Sequence, residues 1–170
     1  TDPSGVTDTQ ALTVEVLDVN EAPMATGGAI TTLENLPFGF NASDFAFSDP
    51  EGDGLQSITI NNLNLAGGTL TVAGGAPLSD GAVLTAAQIA QLDFTPAPNS
   101  FGTVSFEYTV NDAGPGMVAA EMTITVVEAN DAPVATGSAV NLDEDTAYIF
   151  SLTDFPFSDD QGDTLQSVTI

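Results

Sequence analysis

The chain repeats itself at an offset of 110 residues, and this self-similarity bounds the fold before any single residue is read. Asn20-Glu21-Ala22-Pro23 returns as Asn130-Asp131-Ala132-Pro133, and FSDPEGDGLQSITI from Phe47 to Ile60 returns as FSDDQGDTLQSVTI from Phe157 to Ile170. Aligned without a gap, Asp18 to Ile60 and Glu128 to Ile170 are identical at nearly half of their positions. Upstream, Asp2 falls on Asp112 and Thr13 on Thr123. The sequence divides into the closing strands of one repeat with its linker (1–22), a complete repeat (23–132) and the N-terminal part of a third (133–170). Because the pattern breaks off inside a strand at Ile170, the expectation is an excerpt from a longer array.

Within the complete unit the apolar period is two. Val104, Phe106, Tyr108 and Val110 share one face of a strand, with Ser105, Glu107 and Thr109 on the other. Met122, Ile124 and Val126 alternate with Thr123 and Thr125, Leu12, Val14 and Val16 repeat that pattern one unit earlier, and Leu70 with Val72 marks a further strand. Turn residues separate these runs at Pro37-Phe38-Gly39, Asp49 to Gly54, Gly74 to Pro77, Pro96 to Asn99 and Gly114-Pro115-Gly116. Thr85 to Leu92 is the one helix-like stretch, of one or two turns. About seven short strands per period of about 110 residues predict an all-β chain of tandem antiparallel β-sandwiches of immunoglobulin-like size. Phe40, Phe45, Phe47, Phe94, Phe101, Phe106 and Tyr108 are the expected large core side chains.

Charge narrows the function. The chain has 24 acidic residues and no Lys, Arg, His or Cys. No side-chain salt bridge can form, so a terminus, solvent cations or bound metal are the only positive partners left for the carboxylates. Two carboxylates 4 Å apart repel by roughly 4 kcal/mol at an effective dielectric near 20. Without Lys or Arg there is no electrostatic basis for nucleic acid or anionic membranes as partners. Without Cys and His the usual zinc ligands are missing, whereas oxygen-binding metals remain open. No nucleophile–base pair or phosphate clamp can be assembled. A two-carboxylate glycosidase is the one chemically feasible enzyme, but acids that recur with the repeat argue against a single catalytic pair, and no enzyme activity is expected. No apolar run reaches the roughly 20 residues of a membrane span.

Five segments carry a resemblance. The linkers DVNEAP (18–23) and EANDAP (128–133) resemble the cadherin interdomain motif, and LENLPFG (33–39) resembles the glutamate-bearing start of a cadherin first strand. SDPEGDGLQSITI (48–60) is similar to the loop with the Asp-x-Asp motif, LDFTP (92–96) to the Leu-Asp-Arg-Glu segment, and YTVNDAG (108–114) to the final acidic loop. In that order they resemble cadherin-like repeats of large secreted bacterial adhesins of the type I secretion, RTX kind. The resemblance implies Ca2+ at the junctions. Before the complete unit the ligands would be Asp18, Asn20 and Glu21 with Asp49, Glu51, Asp53 and Asp112. After it they would be Glu34, Asp93, Glu128, Asn130 and Asp131 with Asp159, Asp160 and Asp163. Phe94 and Thr95 stand where cadherins have Arg and Glu, and Gln161 replaces the Glu of DPEGD, so one or two ions per junction are expected.

The same loops also suit plain turns, since Asp and Asn side chains cap their own backbone. Asp8, Glu15, Asp80, Glu107 and Glu121 are read as solvated, Asp44 and Asp154 as making local turn bonds, and Met24, Met117 and Met122 as filler or surface. The functional expectation is an extracellular, cell-surface spacer in an adhesin, stiffened by Ca2+, its partners being neighbouring repeats of the same chain. The alternative is a structural filament or sheath in which like chains pack laterally or exchange strands.

Overall fold

A computed structural model of the protein describes residues 3–5, 7–17, 19–111 and 119–170. In the complete unit the strands are β1 (Met24–Ala25), β2 (Gly28–Leu33), β3 (Phe38–Gly39), β4 (Phe47–Ser48), β5 (Ser57–Asn64), β6 (Thr69–Val72), β7 (Ala82–Thr85), β8 (Leu92–Thr95), β9 (Gly102–Asn111) and β10 (Ala119–Val127). They assemble into a five-stranded sheet of order β2-β10-β9-β5-β7 and a three-stranded sheet of order β3-β8-β6, with β1 paired to β4. The alternating runs supply the core: Val104, Phe106, Tyr108 and Val110 of β9 and Met122, Ile124 and Val126 of β10 point inward. They meet Leu70, Leu92 and Phe94 of the other sheet in one buried cluster. Phe45 stands edge-on to Tyr108 at 5.0 Å between ring centroids, and Phe40 edge-on to Phe106 at 6.0 Å. This is an immunoglobulin-like β-sandwich.

The pairing is antiparallel except at one edge, where β2 runs parallel to β10 with Gly28 opposite Met122 and Leu33 opposite Val127. The cause is a change of partner in the first strand. β1 pairs with β4, Met24 opposite Ser48, and two residues later the chain has crossed to β10. Gly27 makes the crossing at φ +82°, where a Cβ would stand 2.9 Å from the Glu121 carbonyl oxygen. The line from Phe38 to Ser48 is likewise two short strands rather than one, because a 3-10 turn at Ala42–Asp44 interrupts it. Asp44 Oδ2 accepts the Asn41 N–H at 2.8 Å, and Asp154 Oδ2 accepts that of Ser151 at 2.7 Å, so both aspartates make the expected local bonds. The helix-like stretch shrinks to α1 (Ala86–Ile89), a single turn.

The opening of the third unit copies the second. β11 (Val134–Ala135) pairs with β12 (Phe157–Ser158), Val134 opposite Ser158, one period on from β1 and β4. Val140, Phe150, Phe155, Val168 and Ile170 line an apolar recess of about 760 Å³. Their counterparts one period earlier, Ile30, Phe40, Phe45, Ile58 and Ile60, are core or pack against it. The recess is thus lined by the positions that build the core one period earlier.

Three expectations are corrected. Residues 7–17 form no strand despite their alternation, and Leu12 and Val16 are exposed; a strand needs a ladder partner, and none of the described strands pairs with them. Phe101 is exposed because it precedes β9 rather than lying in it. Glu107 and Asp80 are more than solvated: Glu107 Oε2 accepts from Asn62 Nδ2 at 2.7 Å and Asp80 Oδ1 from the Leu63 N–H at 3.0 Å. Together they hold the irregularity of β5 between Asn61 and Asn64. Met117 and the turn Gly114-Pro115-Gly116 lie outside the described residues.

The crossing at Gly27 yields a direct expectation. Gly27→Ala combines a left-handed backbone with a carbonyl clash and lowers stability by about 1–3 kcal/mol, measured by urea denaturation. Gly54→Ala, with open space around its Cβ, changes it by less than about 0.5 kcal/mol.

Candidate interdomain junction

The acidic loops are turns first. Asp49 Oδ1 accepts the N–H groups of Glu51 at 3.0 Å and Asp53 at 2.9 Å, while Gly52 at φ +78° lets the chain reverse. One period later Asp159 Oδ1 accepts those of Gln161 at 3.1 Å and Asp163 at 3.0 Å, with Gly162 at φ +75°. The turn reading is thus correct for one oxygen of the leading aspartate. Its other oxygen differs: Asp49 Oδ2 is buried without a hydrogen-bond partner, and so is Oδ2 of Asp131 in the second linker. An acceptor left in that state costs about 1–3 kcal/mol.

The middle residue of each loop reaches the linker backbone. Glu51 Oε2 accepts the Glu21 N–H at 3.2 Å. Gln161 Oε1 accepts the Asp131 N–H at 3.1 Å, and Gln161 Nε2 also donates to the Ala129 carbonyl at 3.1 Å. Within each linker the asparagine amide donates to the next carbonyl, Asn20 to Glu21 at 2.8 Å and Asn130 to Asp131 at 3.1 Å. From the other side, Glu34 is 3% exposed and its Oε1 accepts the Ala129 N–H at 2.7 Å. Its own N–H donates to the Val127 carbonyl at 2.9 Å, which extends the β2–β10 ladder by one residue.

The predicted ligands are only partly gathered. Asp131, Asp159 and Asp163 border one recess of about 240 Å³, with Asn130 beside them. Glu34 touches the linker as described. Asp93 instead sits in the β8 ladder, opposite Gly39 and Thr71, with no bond to the linker among those described. Glu128 and Asp53 are exposed, and Asp160 turns to Asn99 of the preceding unit, accepting from its Nδ2 at 2.7 Å. Asp18 and Asp112 lie outside the described residues. Among the described residues no group of three or more His, Cys, Asp or Glu stands in a metal-holding arrangement.

Sequence reasoning missed Asn35, Asn99 and the positive role of Gln161. Asn35 Nδ2 donates to Asn99 Oδ1 at 3.2 Å, and the Asn99 N–H donates to Asn35 Oδ1 at 3.1 Å. The legible signal was an asparagine inside each of the turn-prone stretches Leu33 to Pro37 and Pro96 to Phe101; both adopt left-handed backbone, at φ 60° and 51°.

Compared with known families, residues 20–125 match the model of the bacterial Ig domain. No curated protein and no solved structure matches the chain. No described helix is long and apolar enough to cross a membrane.

The double acceptor role of Asp49 is testable. Asp49→Ala leaves two N–H groups without an acceptor and lowers the urea-denaturation stability of the chain by about 1–3 kcal/mol. Asp8→Ala, on an exposed segment, changes it by less than about 0.5 kcal/mol.

Proposed function

The chain belongs to the bacterial Ig domain family, and from that premise we propose that its units are calcium-stiffened spacers of a long extracellular adhesin, binding rather than catalytic in role. Domains of this family are typical repeats of bacterial surface proteins. The observation that carries the calcium reading is the pair of orphaned carboxylate oxygens at the junctions, Asp49 Oδ2 and Asp131 Oδ2, in a chain with no basic side chain. Calcium takes six to eight oxygens from carboxylates, amides, backbone carbonyls and water at 2.3–2.6 Å. Asp131, Asp159 and Asp163, with Asn130, would hold it after the complete unit; Asn20, Glu21 and Asp49 would hold it before. The loop backbones are already fixed by the Asp49 and Asp159 turns. A bound ion supplies the positive charge these carboxylates lack and draws linker and loop together, so that a bend at the linker becomes costly. The cadherin-like resemblance of the linkers supports the same reading.

Extracellular modules bind calcium in the range of about 10⁻⁴–10⁻³ M, and at a hundredfold excess over Kd one site adds about 2.7 kcal/mol. Small-angle scattering and thermal melts in millimolar calcium and in excess chelator test this. Calcium lengthens the particle and raises Tm; if neither changes, the loops are turns alone and the spacer is not calcium-stiffened.

A further inference from the structure

The two junctions of this chain differ in chemistry at two neighbouring positions, and the difference has a mechanical consequence. Where the first loop has Pro50-Glu51, the second has Asp160-Gln161. A glutamate at the middle position only accepts: Glu51 takes the Glu21 N–H. A glutamine there both accepts and donates, and Gln161 does both, gripping the Asp131 N–H and the Ala129 carbonyl. Ala129 is consequently held from two units at once. Its N–H goes to Glu34 of the preceding unit at 2.7 Å and its carbonyl to Gln161 of the following one.

The first loop position adds a second tie. Proline offers no side-chain acceptor, whereas Asp160 accepts from Asn99 of the preceding unit. Asn99 is fixed for this by its two bonds to Asn35. The chain Asn35–Asn99–Asp160 therefore crosses the junction directly, some distance in sequence from the linker. Two ties at separate points resist bending in a way one cannot. The bond to an ionised carboxylate is also of the stronger, charge-assisted kind.

We propose that Glu34, Ala129, Asn99, Asp160 and Gln161 form a metal-independent clasp that fixes the third unit against the second. Junctions with Asp-Gln at these positions are stiff by hydrogen bonding, whereas Pro and Glu there supply neither the side-chain acceptor of Asp160 nor the side-chain donor of Gln161. The clasp holds whether or not calcium binds. An array built from both kinds carries permanent joints among joints of softer type, and the residue pair at 50–51 or 160–161 sets which is which.

The absence of cysteine makes the test clean. The full chain with Ala76→Cys and Ala139→Cys, both exposed, carries one spin label on each unit, and the label–label distance distribution is recorded in excess chelator. The expected result is a narrow distribution in the parent chain. Gln161→Glu, Asn99→Ala, and the double change Asp160→Pro with Gln161→Glu each lose it, while circular dichroism shows the β content retained. A broad distribution in the parent, or variants as narrow as the parent, overturns the clasp. Calcium added to the Gln161→Glu chain reads the calcium proposal separately. If the distribution stays broad there while the parent is narrow in chelator, the calcium reading falls and the clasp stands.

Discussion

In a chain with no basic side chain, the backbone N–H has to do the work that lysine and arginine do elsewhere. Glu34, Asp44, Asp49, Glu51, Asp80, Asp154 and Asp159 all accept backbone N–H groups. Each such bond satisfies a donor that turns and strand ends leave unpaired. Each such bond also fixes a loop. The acidity of this sequence is thus built into its turns rather than spread over its surface alone, and the geometry of the junctions follows from it.

The turn and metal readings of the acidic loops are compatible at the level of single atoms. Asp49 spends Oδ1 on two N–H groups of its own turn and leaves Oδ2 buried and bare. A residue can therefore shape the loop and still offer an oxygen to a cation. The linker shows the same economy: Ala129 has no functional side chain, yet its two backbone groups are claimed by two different units. What sets the stiffness of a joint is how many independent points tie the two sandwiches, and the side chains at 51 and 161 differ in that respect by one donor.

Much of the sandwich could be read in advance, because buried strands announce themselves by alternation. The runs Val104 to Val110 and Met122 to Val126 became β9 and β10 with the expected faces inward. The sequence repeat at an offset of 110 residues is matched by the pairing of β11 with β12, which copies that of β1 with β4. What stayed hidden depended on contacts between distant segments. Gly27 gave no sign that it carries the chain from β4 to β10, since a glycine in a turn-rich stretch is unremarkable until a carbonyl is found against it. Leu12, Val14 and Val16 alternate as well as β10 does, but alternation cannot supply the ladder partner. Asp93 was assigned by resemblance to a junction that the β8 register keeps it from joining by any described bond. Gln161 was read as the loss of a ligand, when its amide nitrogen supplies a donor that glutamate lacks.

The account turns on Ala129 being held from both sides, and amide hydrogen exchange at that residue tests it most directly. Exchange of a hydrogen-bonded amide requires the bond to open. If Glu34 takes the Ala129 N–H, that amide in the full chain in excess chelator exchanges as slowly as those at the end of β10, and Glu34→Ala speeds it to the rate of an open peptide. Fast exchange at Ala129 in the unsubstituted chain, beside slow exchange at Val126, would contradict the account: the Glu34 bond would then be open, and Ala129 would not be held from both units.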